Sequence, residues 1–284
     1  MQVARQQEIM DLARKAGRVN VESLSTHFAV SPQTIRKDLK ELSDRRLLDR
    51  VHGGAVIASS VQNLAYQARR LIAETEKREI GRAAAALVPS NSSLFVNIGT
   101  TTEEVARALM HHTGLLLITN NLHVASMLYP LEGIDIVIAG GPVRRSDGGV
   151  VGSLAVELIE NFKVDFAIVG VSAIDADGAL LDFDVREIQV AKTIMANART
   201  VVLVADSSKF SRRASTRIGH LRDVDVFVTD KVPSPALKEL CLREKVHLIE
   251  TSVDWDPNQP RQLDADADDA EDGETHDRRG ARSS

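Results

Sequence analysis

Apolar side chains recur at helical spacing in two short segments of the first 45 residues, each with polar side chains on its other side. The apolar positions are Val21, Leu24 and Phe28 in the first segment and Ile35, Leu39 and Leu42 in the second. Such spacing is typical of the buried face of a helix. Since only residues 29–31 separate the two segments, the pattern predicts a helix-turn-helix.

Both predicted helices begin at residues that favour a helix N-terminus. Asn20 precedes the first helix, and its side chain can accept a hydrogen bond from an orphan amide of the first turn. Ser31 has the same place before the second helix, in which Pro32 takes the first position, where its missing N–H is tolerated. A further helix is expected over residues 2–16, packed behind these two and ending at Gly17.

The second helix is expected to expose a basic, hydrogen-bonding strip opposite its apolar face. At about 100° per residue, this strip consists of Gln33, Arg36, Lys37 and Lys40. One interpretation is the ordinary solvated face of a surface helix, and the other is a face that enters the major groove of DNA. The paired helices and their caps favour the second interpretation.

A hairpin is predicted directly after the helix-turn-helix. Two short extended runs flank a turn that contains His52, Gly53 and Gly54, with Arg50 just before it. The two glycines alone would fit an ordinary hairpin turn. The basic side chains beside them suit a β-wing that lies on phosphates or in the minor groove. Both interpretations can hold at once.

These segments resemble the winged helix-turn-helix of the DeoR family of bacterial transcriptional regulators. The resemblance rests on the run Ser31-Pro32-Gln33-Thr34-Ile35-Arg36 and on the wing sequence His52-Gly53-Gly54-Ala55. Where that family usually has a second arginine, this chain has Lys37, which keeps the charge but loses the bidentate fork. The resemblance implies operator DNA as a partner, contacted by Asn20, Ser31, Gln33, Thr34, Arg36, Lys37, Lys40, Arg50, His52 and Gly53.

From residue 76 onward, short runs of Val, Ile and Leu alternate with helical stretches. The predicted strands are 94–98, 115–119, 135–139, 164–171, 200–205, 224–229 and 247–250. The predicted helices are 76–88, 101–112, 153–162, 184–198 and 234–245. Nearly continuous apolar runs are typical of buried parallel strands. The alternation therefore predicts an α/β domain with a mostly parallel sheet.

Small and polar residues follow most of these strands, and ligands bind at the carboxyl edge of open α/β sheets. The run Gly99-Thr100-Thr101-Thr102 could cradle a phosphate at a helix N-terminus. Taken alone, the run is better explained as a capping box, with Thr101 as the cap and Glu104 three residues on. Lys209 is a candidate cation for the phosphate, or else a solvated loop lysine. A cluster of carboxylates could bind hydroxyls or act as general bases, and the alternative is that they have surface and capping roles. The cluster consists of Asp175, Asp182, Asp184 and Glu187.

The resemblance to the DeoR family extends from about residue 4 to residue 252. In the second half of the chain it rests on Ile98-Gly99-Thr100-Thr101, Ile118-Thr119-Asn120-Asn121, Ala139-Gly140-Gly141 and Ala205-Asp206-Ser207-Ser208-Lys209-Phe210. It implies a sensor domain that shares its fold with ribose-5-phosphate isomerase, glucosamine-6-phosphate deaminase and CoA transferases. It also implies a phosphorylated sugar or polyol as effector, and the runs 145–152 and 173–184 make glycerol 3-phosphate the first choice. The implied ligand-site residues are Gly99, Thr100, Thr101, Asn121, Gly141, Gly170 and Lys209.

The implied protein is a repressor of glycerol or sugar catabolism genes, acting as a homodimer or homotetramer on two-fold operators. The alternative is an isomerase-type enzyme in which Lys209 and one of Asp175, Asp182 or Glu187 transfer protons. A DNA-binding domain argues against the enzyme, because catalysis gains nothing from an operator contact. A scaffolding protein would leave the convergence of polar strand ends unexplained.

The distribution of charge supports a DNA-binding N-terminal domain. A formal net charge of −5 over 284 residues argues by itself against a nucleic-acid binder. However, residues 1–58 carry ten Lys/Arg and seven Asp/Glu, whereas residues 254–284 carry four Lys/Arg and ten Asp/Glu. The basic surplus therefore coincides with the helix-turn-helix. We expect a winged domain over 1–57, a partly helical linker over 58–75, a sensor over 76–253 and a disordered acidic tail over 254–284.

Several features indicate a cytoplasmic protein that needs no cofactor. The single cysteine, Cys241, precludes an intrachain disulfide and suits a reducing compartment. The sequence has no opening run that resembles a signal peptide and no segment of ~20 uninterrupted apolar residues. It also lacks a P-loop and a Cys/His cluster. We therefore expect no membrane contact, no metal and no catalytic residue.

Overall fold

The computed structural model describes residues 2–16, 18–44, 47–51, 53–57 and 66–252. The chain divides into two compact units, the first ending at Ile72 and the second beginning at Ala73. Residues 58–65 of the predicted linker and all of the predicted acidic tail lie outside the described residues.

The first unit is the winged helix-turn-helix that the sequence predicts. Its helices are α1 (Gln2–Ala16), α2 (Val21–Phe28), α3 (Pro32–Asp44) and α4 (Tyr66–Leu71). Its strands are β1 (Arg18–Asn20), β2 (Leu48–Val51) and β3 (Gly54–Ile57). The wing strands β2 and β3 pair antiparallel, and β1 adds to the other side of β3 as a strand that the sequence did not predict.

A single apolar core holds the three long helices of the first unit together. Ile9 and Ala13 from α1, Leu24 from α2, and Ile35 and Leu39 from α3 are all buried in it. These residues recur at helical spacing, so the pattern that predicts the helices also fixes which face of each turns inward. The opposite face of α3 is thereby left to solvent.

The second unit is an α/β domain built on a parallel sheet. Its helices are α5 (Glu74–Ala85), α6 (Thr100–Ala108), α7 (Leu122–Leu128), α8 (Ser153–Glu160), α9 (Val185–Ala196) and α10 (Pro235–Arg243). Its main strands are β4 (Ser93–Val96), β5 (Leu115–Thr119), β6 (Ile134–Ile138), β9 (Val164–Val169), β12 (Ala198–Val204), β14 (Val226–Thr229) and β15 (His247–Glu250). These seven strands form one sheet in the order β15-β14-β12-β9-β4-β5-β6, with parallel pairing throughout.

Two apolar cores cover the two faces of this sheet. One joins α5, α6 and α7 to one face, and the other joins α8, α9 and α10 to the opposite face. Consecutive residues of β4 illustrate the arrangement, because Phe95 packs in one core and Val96 in the other. Burial on both sides explains why the strands read as continuous apolar runs.

Five short strands and one helix of the second unit were not predicted. The strands β7 (Val143–Arg144) and β8 (Gly149–Val150) form a hairpin, hereafter the 143–150 hairpin. The strands β10 (Ala173–Ile174), β11 (Ala179–Asp182) and β13 (Thr216–His220) form a small antiparallel sheet, of which β11 and β13 are four and five residues long. The missed helix is α7. None of the helices in the described part of the chain is both long and apolar enough to cross a membrane.

Candidate functional site

Helix α3 presents an apolar side to the core of the first unit and a basic side to solvent. Ile35 and Leu39 are buried. The predicted strip is exposed along its whole length and consists of Gln33, Arg36, Lys37 and Lys40. Side chains of this kind on an exposed helix are the groups that contact base edges and phosphates in a major groove.

The predicted cap residues fix the starts of α2 and α3. Asn20 Oδ1 accepts a hydrogen bond of 2.7 Å from the backbone N–H of Glu22. Ser31 Oγ accepts one of 3.2 Å from the N–H of Thr34, and the hydroxyls of Ser31 and Thr34 lie 2.9 Å apart. Asn20 and Ser31 are exposed, so these side chains order the helix starts while remaining at the surface.

A buried acid on α3 ties this helix to α1. Asp38 is 1% exposed, and its Oδ2 accepts a hydrogen bond of 2.6 Å from Nε of Arg5. This hydrogen bond is the main reason that the pKa of Arg5 is raised. Gln6 adds a contact of 2.7 Å to Glu41, one turn further along α3. Sequence analysis missed this anchor, although Asp38 follows the buried Ile35 by three positions and therefore had to face the core.

The turn of the wing is fixed by backbone contacts. Gly53 is exposed with a positive φ of 73°, and its carbonyl accepts a hydrogen bond of 2.8 Å from the N–H of Val21. At Gly54, an added Cβ would lie 1.9 Å from the carbonyl oxygen of Val19, so only glycine fits there. Arg50 is exposed on β2, beside this turn. His52, predicted with them, lies outside the described residues.

The carboxyl edge of the parallel sheet gathers small and polar residues from five strands. Since the strands are parallel, the residues that follow them meet at one edge of the sheet. From β4 to β14 they are Asn97, Asn120, Gly170, Asp206 and Asp230. We therefore expect the predicted ligand site in a crevice at this edge of the sheet, hereafter the crevice.

The threonine-rich turn after β4 starts helix α6 directly. Gly99 is the N-cap residue at a φ of 155°, a conformation that favours glycine, and no side chain caps the helix. The alternative prediction of a capping box on Thr101 and Glu104 is therefore wrong. Instead, Thr102 Oγ1 donates back to the carbonyls of Asn97 and Gly99, at 2.7 and 2.8 Å. The amides of Thr100 and Thr101 thus lie at a helix start where an anion is favoured.

Asn121 has structural contacts on both ends of its amide. Its Oδ1 accepts a hydrogen bond of 2.9 Å from the N–H of His123 and thereby caps α7. Its Nδ2 donates to Oε1 of the buried Glu103, at 3.3 Å. This predicted ligand residue follows β5 at the carboxyl edge of the sheet, where its side chain holds α6 and α7 in position.

Two buried lysines flank one buried carboxylate after β12. Lys209 Nζ and Lys77 Nζ lie 4.0 and 3.9 Å from Asp206 Oδ2, and the lysines are 7% and 2% exposed. Lys209 is therefore not the solvated loop lysine of the alternative interpretation. Although burial raises the pKa of Asp206, the charges of Lys209 and Lys77 lower it below its ordinary value. Lys77 was missed by sequence analysis, although it precedes the buried Ile80 by three positions on α5.

Two of the glycines predicted at the crevice differ in the room that they leave for a side chain. Gly141 has a φ of 135°, and an added Cβ would lie 3.1 Å from the carbonyl oxygen of Val151. At Gly170, an added Cβ would lie 3.4 Å from Thr102 Cγ2, an ordinary van der Waals contact between the turn after β9 and the start of α6. At both positions, the absence of a side chain lets the backbone come close to a neighbouring residue or a ligand.

The predicted carboxylate cluster is organised by an arginine that sequence analysis did not single out. Arg144, from the 143–150 hairpin, lies 2.8 Å from Asp147, 3.1 Å from Asp184 and 2.5 Å from Glu187. These contacts join the hairpin to the start of α9, where Asp184 is also the N-cap residue. Asp175 is exposed in the turn before β11 and is not among the carboxylates that contact Arg144.

Burial and charge set the pKa values of this cluster in opposite directions. Burial and the charge of Asp182 raise the pKa of Glu187 to about 8, although Arg144 lowers it. The pKa of Asp184 is lowered to about 2, mainly by the hydrogen bond from Arg186. Among the described residues, no group of His, Cys, Asp and Glu side chains is arranged to hold a metal ion.

Both units match models of known protein families. A model described as "DeoR-like helix-turn-helix domain" matches residues 5–61, and one described as "DeoR C terminal sensor domain" matches residues 72–231. Among solved structures, ribose 5 phosphate isomerase A from Neisseria gonorrhoeae is 17% identical with a TM-score of 0.36, and the match covers 50% of this chain and 54% of that one.

Curated relatives match over nearly their whole length. The "Glycerol-3-phosphate regulon repressor" of Escherichia coli (strain K12) is 42% identical over 247 residues, which cover 87% of this chain and 98% of the relative. The protein of the same name from Haemophilus influenzae is 46% identical over 232 residues, covering 82% and 91%. The "HTH-type transcriptional repressor CsqR" of Escherichia coli is 39% identical over 245 residues, covering 86% and 94%.

Proposed function

The chain belongs to the DeoR family of transcriptional regulators, and we propose that it is a repressor whose affinity for operator DNA falls when a phosphorylated sugar or polyol binds. Glycerol 3-phosphate is the first choice of effector. The observation that carries this proposal is the likeness to glycerol-3-phosphate regulon repressors, which spans both the winged unit and the α/β unit. The regulated genes would serve glycerol or sugar catabolism in the cytoplasm.

The DNA-contacting surface is proposed to be the exposed side of α3 with the wing beside it. Arg36 and Gln33 lie near the start of α3, where recognition helices contact base edges. Lys37 and Lys40 supply charge for phosphates, and Arg50 does so from the wing. The remaining members of the proposed surface are Asn20, Ser31, Thr34, His52 and Gly53.

The effector site is proposed to be the crevice at the carboxyl edge of the parallel sheet. The phosphate would lie at the start of α6, where helix amides and the helix dipole favour an anion, with the Lys209 ammonium as its charge partner. The full proposed set is Gly99, Thr100, Thr101, Asn121, Gly141, Gly170 and Lys209.

Regulation requires that the effector bind one conformation of the repressor better than another. A two-fold operator would be read by a homodimer or homotetramer with winged units about one helical turn of DNA apart. The effector-bound form would hold the winged units in a spacing that fits this operator less well. The isomerase-type enzyme is not proposed, because the relatives are named as repressors and carry the same DNA-binding unit.

The test is to select bound sequences from a random duplex library and then measure release from the selected operator. Glycerol 3-phosphate should release the DNA, whereas glycerol and inorganic phosphate at the same concentration should not. Parallel analysis of the ligand after incubation should show it unchanged. Failure to select any sequence, or turnover of the ligand, would contradict the proposal.

A further inference from the structure

Asn97 and Asn120 lie side by side in the interior, at the carboxyl ends of two adjacent strands. The register of β4 and β5 pairs Val96 with Thr119, so the next residue on each strand is one of these asparagines. They are 1% and 0% exposed. Polar side chains buried to this degree normally have hydrogen-bond partners for all their strong donors and acceptors.

Each of the two amides has one satisfied end and one unsatisfied end. Asn97 Oδ1 accepts a hydrogen bond of 2.7 Å from the N–H of Ile98, and Asn120 Nδ2 donates one of 3.2 Å to the carbonyl of Val150. In contrast, Asn97 Nδ2 and Asn120 Oδ1 have no hydrogen-bond partner among the residues that the structure describes. Asn97 Nδ2 is a donor and Asn120 Oδ1 is an acceptor. The pair is therefore complementary to a group that can both accept and donate a hydrogen bond.

The backbone around both residues is held in place. The N–H of Asn97 donates to Ile168 across the sheet, and its carbonyl accepts from Thr102 at the start of α6. The carbonyl of Asn120 accepts a hydrogen bond of 2.7 Å from the N–H of Val150, on the 143–150 hairpin. The backbone and the hydrogen-bonded end of each amide therefore restrain the unsatisfied end before any ligand binds, which reduces the entropic cost of binding one.

We propose that Asn97 Nδ2 and Asn120 Oδ1 recognise a hydroxyl group of the effector. A hydroxyl accepts from an amide N–H and donates to an amide oxygen through the same atom. A phosphate oxygen does not fit, because Asn120 Oδ1 is itself an acceptor. Asn97 precedes Gly99 by only two residues, so the hydroxyl would belong to a carbon close to a phosphate held at the start of α6.

This inference rests on the proposed function and adds to it a basis for specificity. The helix start and Lys209 would recognise any phosphate monoester, whereas the asparagine pair would require a hydroxyl on the carbon chain. A site built to hydrogen-bond a hydroxyl rejects analogues that lack it, because its buried polar atoms are then left unpaired. The class of effector is therefore a phosphorylated polyol or sugar rather than a simple alkyl phosphate.

The experiment is a calorimetric titration of the full chain with glycerol 3-phosphate and with n-propyl phosphate, which lacks both hydroxyls. We expect glycerol 3-phosphate to bind about tenfold more tightly or better. The variant Asn97→Ala should remove most of this preference and leave the affinity for n-propyl phosphate nearly unchanged. Asn161→Ala is the matched control, because Asn161 is an exposed asparagine at the end of α8, away from the crevice.

Several outcomes would overturn the inference. Equal affinity of the parent protein for the two ligands would show that the pair holds no hydroxyl, and this comparison needs no variant to fold. A preference that survives in both Asn97→Ala and Asn120→Ala would place the hydroxyl elsewhere. In both cases phosphate binding persists, so the proposed function stands. If neither ligand nor any other sugar phosphate binds, the proposed function fails as well.

Discussion

Arg5 Nε lies 2.6 Å from Asp38 Oδ2, so the first helix of the winged unit holds the buried acid of α3, the helix that carries the proposed DNA-contacting strip. Asp38 is almost completely buried, and the guanidinium of Arg5 is the positively charged group beside it. The position of the strip is therefore set from the buried side of α3, by residues outside the strip itself.

We predict that Arg5→Ala destabilises the winged unit by about 1–3 kcal/mol, because a buried charged group loses its main hydrogen bond. Operator affinity should fall with it. Thermal unfolding and operator titrations measure the two effects. The control is Arg78→Ala, which removes an exposed i,i+4 pair with Glu74 and should cost less than about 0.5 kcal/mol. Equal stability of the two variants would contradict the anchoring role of Arg5.

Arg36 is expected to contribute directly to operator recognition, since it is exposed on the proposed DNA-contacting side of α3. Arg36→Ala should weaken operator binding by about 1–3 kcal/mol and relax the preference at one base pair if the guanidinium reads a base. A contact with phosphate alone would weaken binding to all sequences and reduce the dependence on salt.

Fluorescence anisotropy at several salt concentrations separates these cases for Arg36. Arg243→Ala is the control, because Arg243 is an exposed arginine on α10 in the other unit. Unchanged operator affinity of Arg36→Ala at fixed salt would remove this residue from the interface.

The winged unit could be predicted in detail because its signals are local in sequence. The spacing of Leu24, Ile35 and Leu39 predicts which helix faces are buried. Asn20 and Ser31, predicted as caps from the sequence, accept capping hydrogen bonds in the structure. Similarly, the apolar runs in the second half of the chain predict a parallel sheet, since only strands buried on both faces have that composition.

The chemistry at the sheet edge was harder to predict because it depends on which distant segments meet. Arg144 gathers Asp184 and Glu187 only because a hairpin with two-residue strands folds against the start of α9, and strands this short have no periodic signal. Lys77 lies close to Asp206 in the fold, although more than a hundred residues separate the two in sequence. The capping-box prediction failed because α6 begins at Thr100 with Gly99 as its N-cap residue, so Thr101 already lies inside the helix.

We predict that Glu187 makes the stability of the second unit dependent on pH. Its pKa is raised from 4.5 to about 8 in the folded protein, so the folded state retains a proton that the unfolded chain releases. The free energy of unfolding should therefore decrease as pH rises from 4.5 to about 8. Glu187→Gln should flatten this part of the profile, because glutamine stays neutral throughout.

Denaturant titrations across that pH range test the role of Glu187. Glu157→Gln is the matched control, since Glu157 is exposed on α8 and its replacement should leave the profile unchanged. If Glu187→Gln shows the same slope as the parent protein, another group causes the pH dependence.

Lys209 tests whether the crevice controls the operator-binding unit. Lys209→Ala removes the proposed charge partner of the effector phosphate, and a hydrogen bond to a charged group contributes about 1.5–3 kcal/mol. Effector affinity should therefore fall about tenfold or more, while DNA binding without effector persists. The variant would be a repressor that stays on its operator at effector concentrations that release the parent protein.

Operator titrations with and without glycerol 3-phosphate measure both properties of the Lys209 variant in one assay. Lys209→Gln accompanies it, because glutamine keeps most of the side-chain volume near Asp206 and limits any effect on folding. Lys231→Ala is the matched control, since Lys231 is exposed just beyond β14 at the same edge of the sheet. Release of the operator by both Lys209 variants at the concentration that releases the parent protein would exclude a phosphate contact. Loss of DNA binding without effector in both would instead make Lys209 a structural residue, because the charge of Lys77 alone would then be insufficient to hold Asp206 in the folded unit.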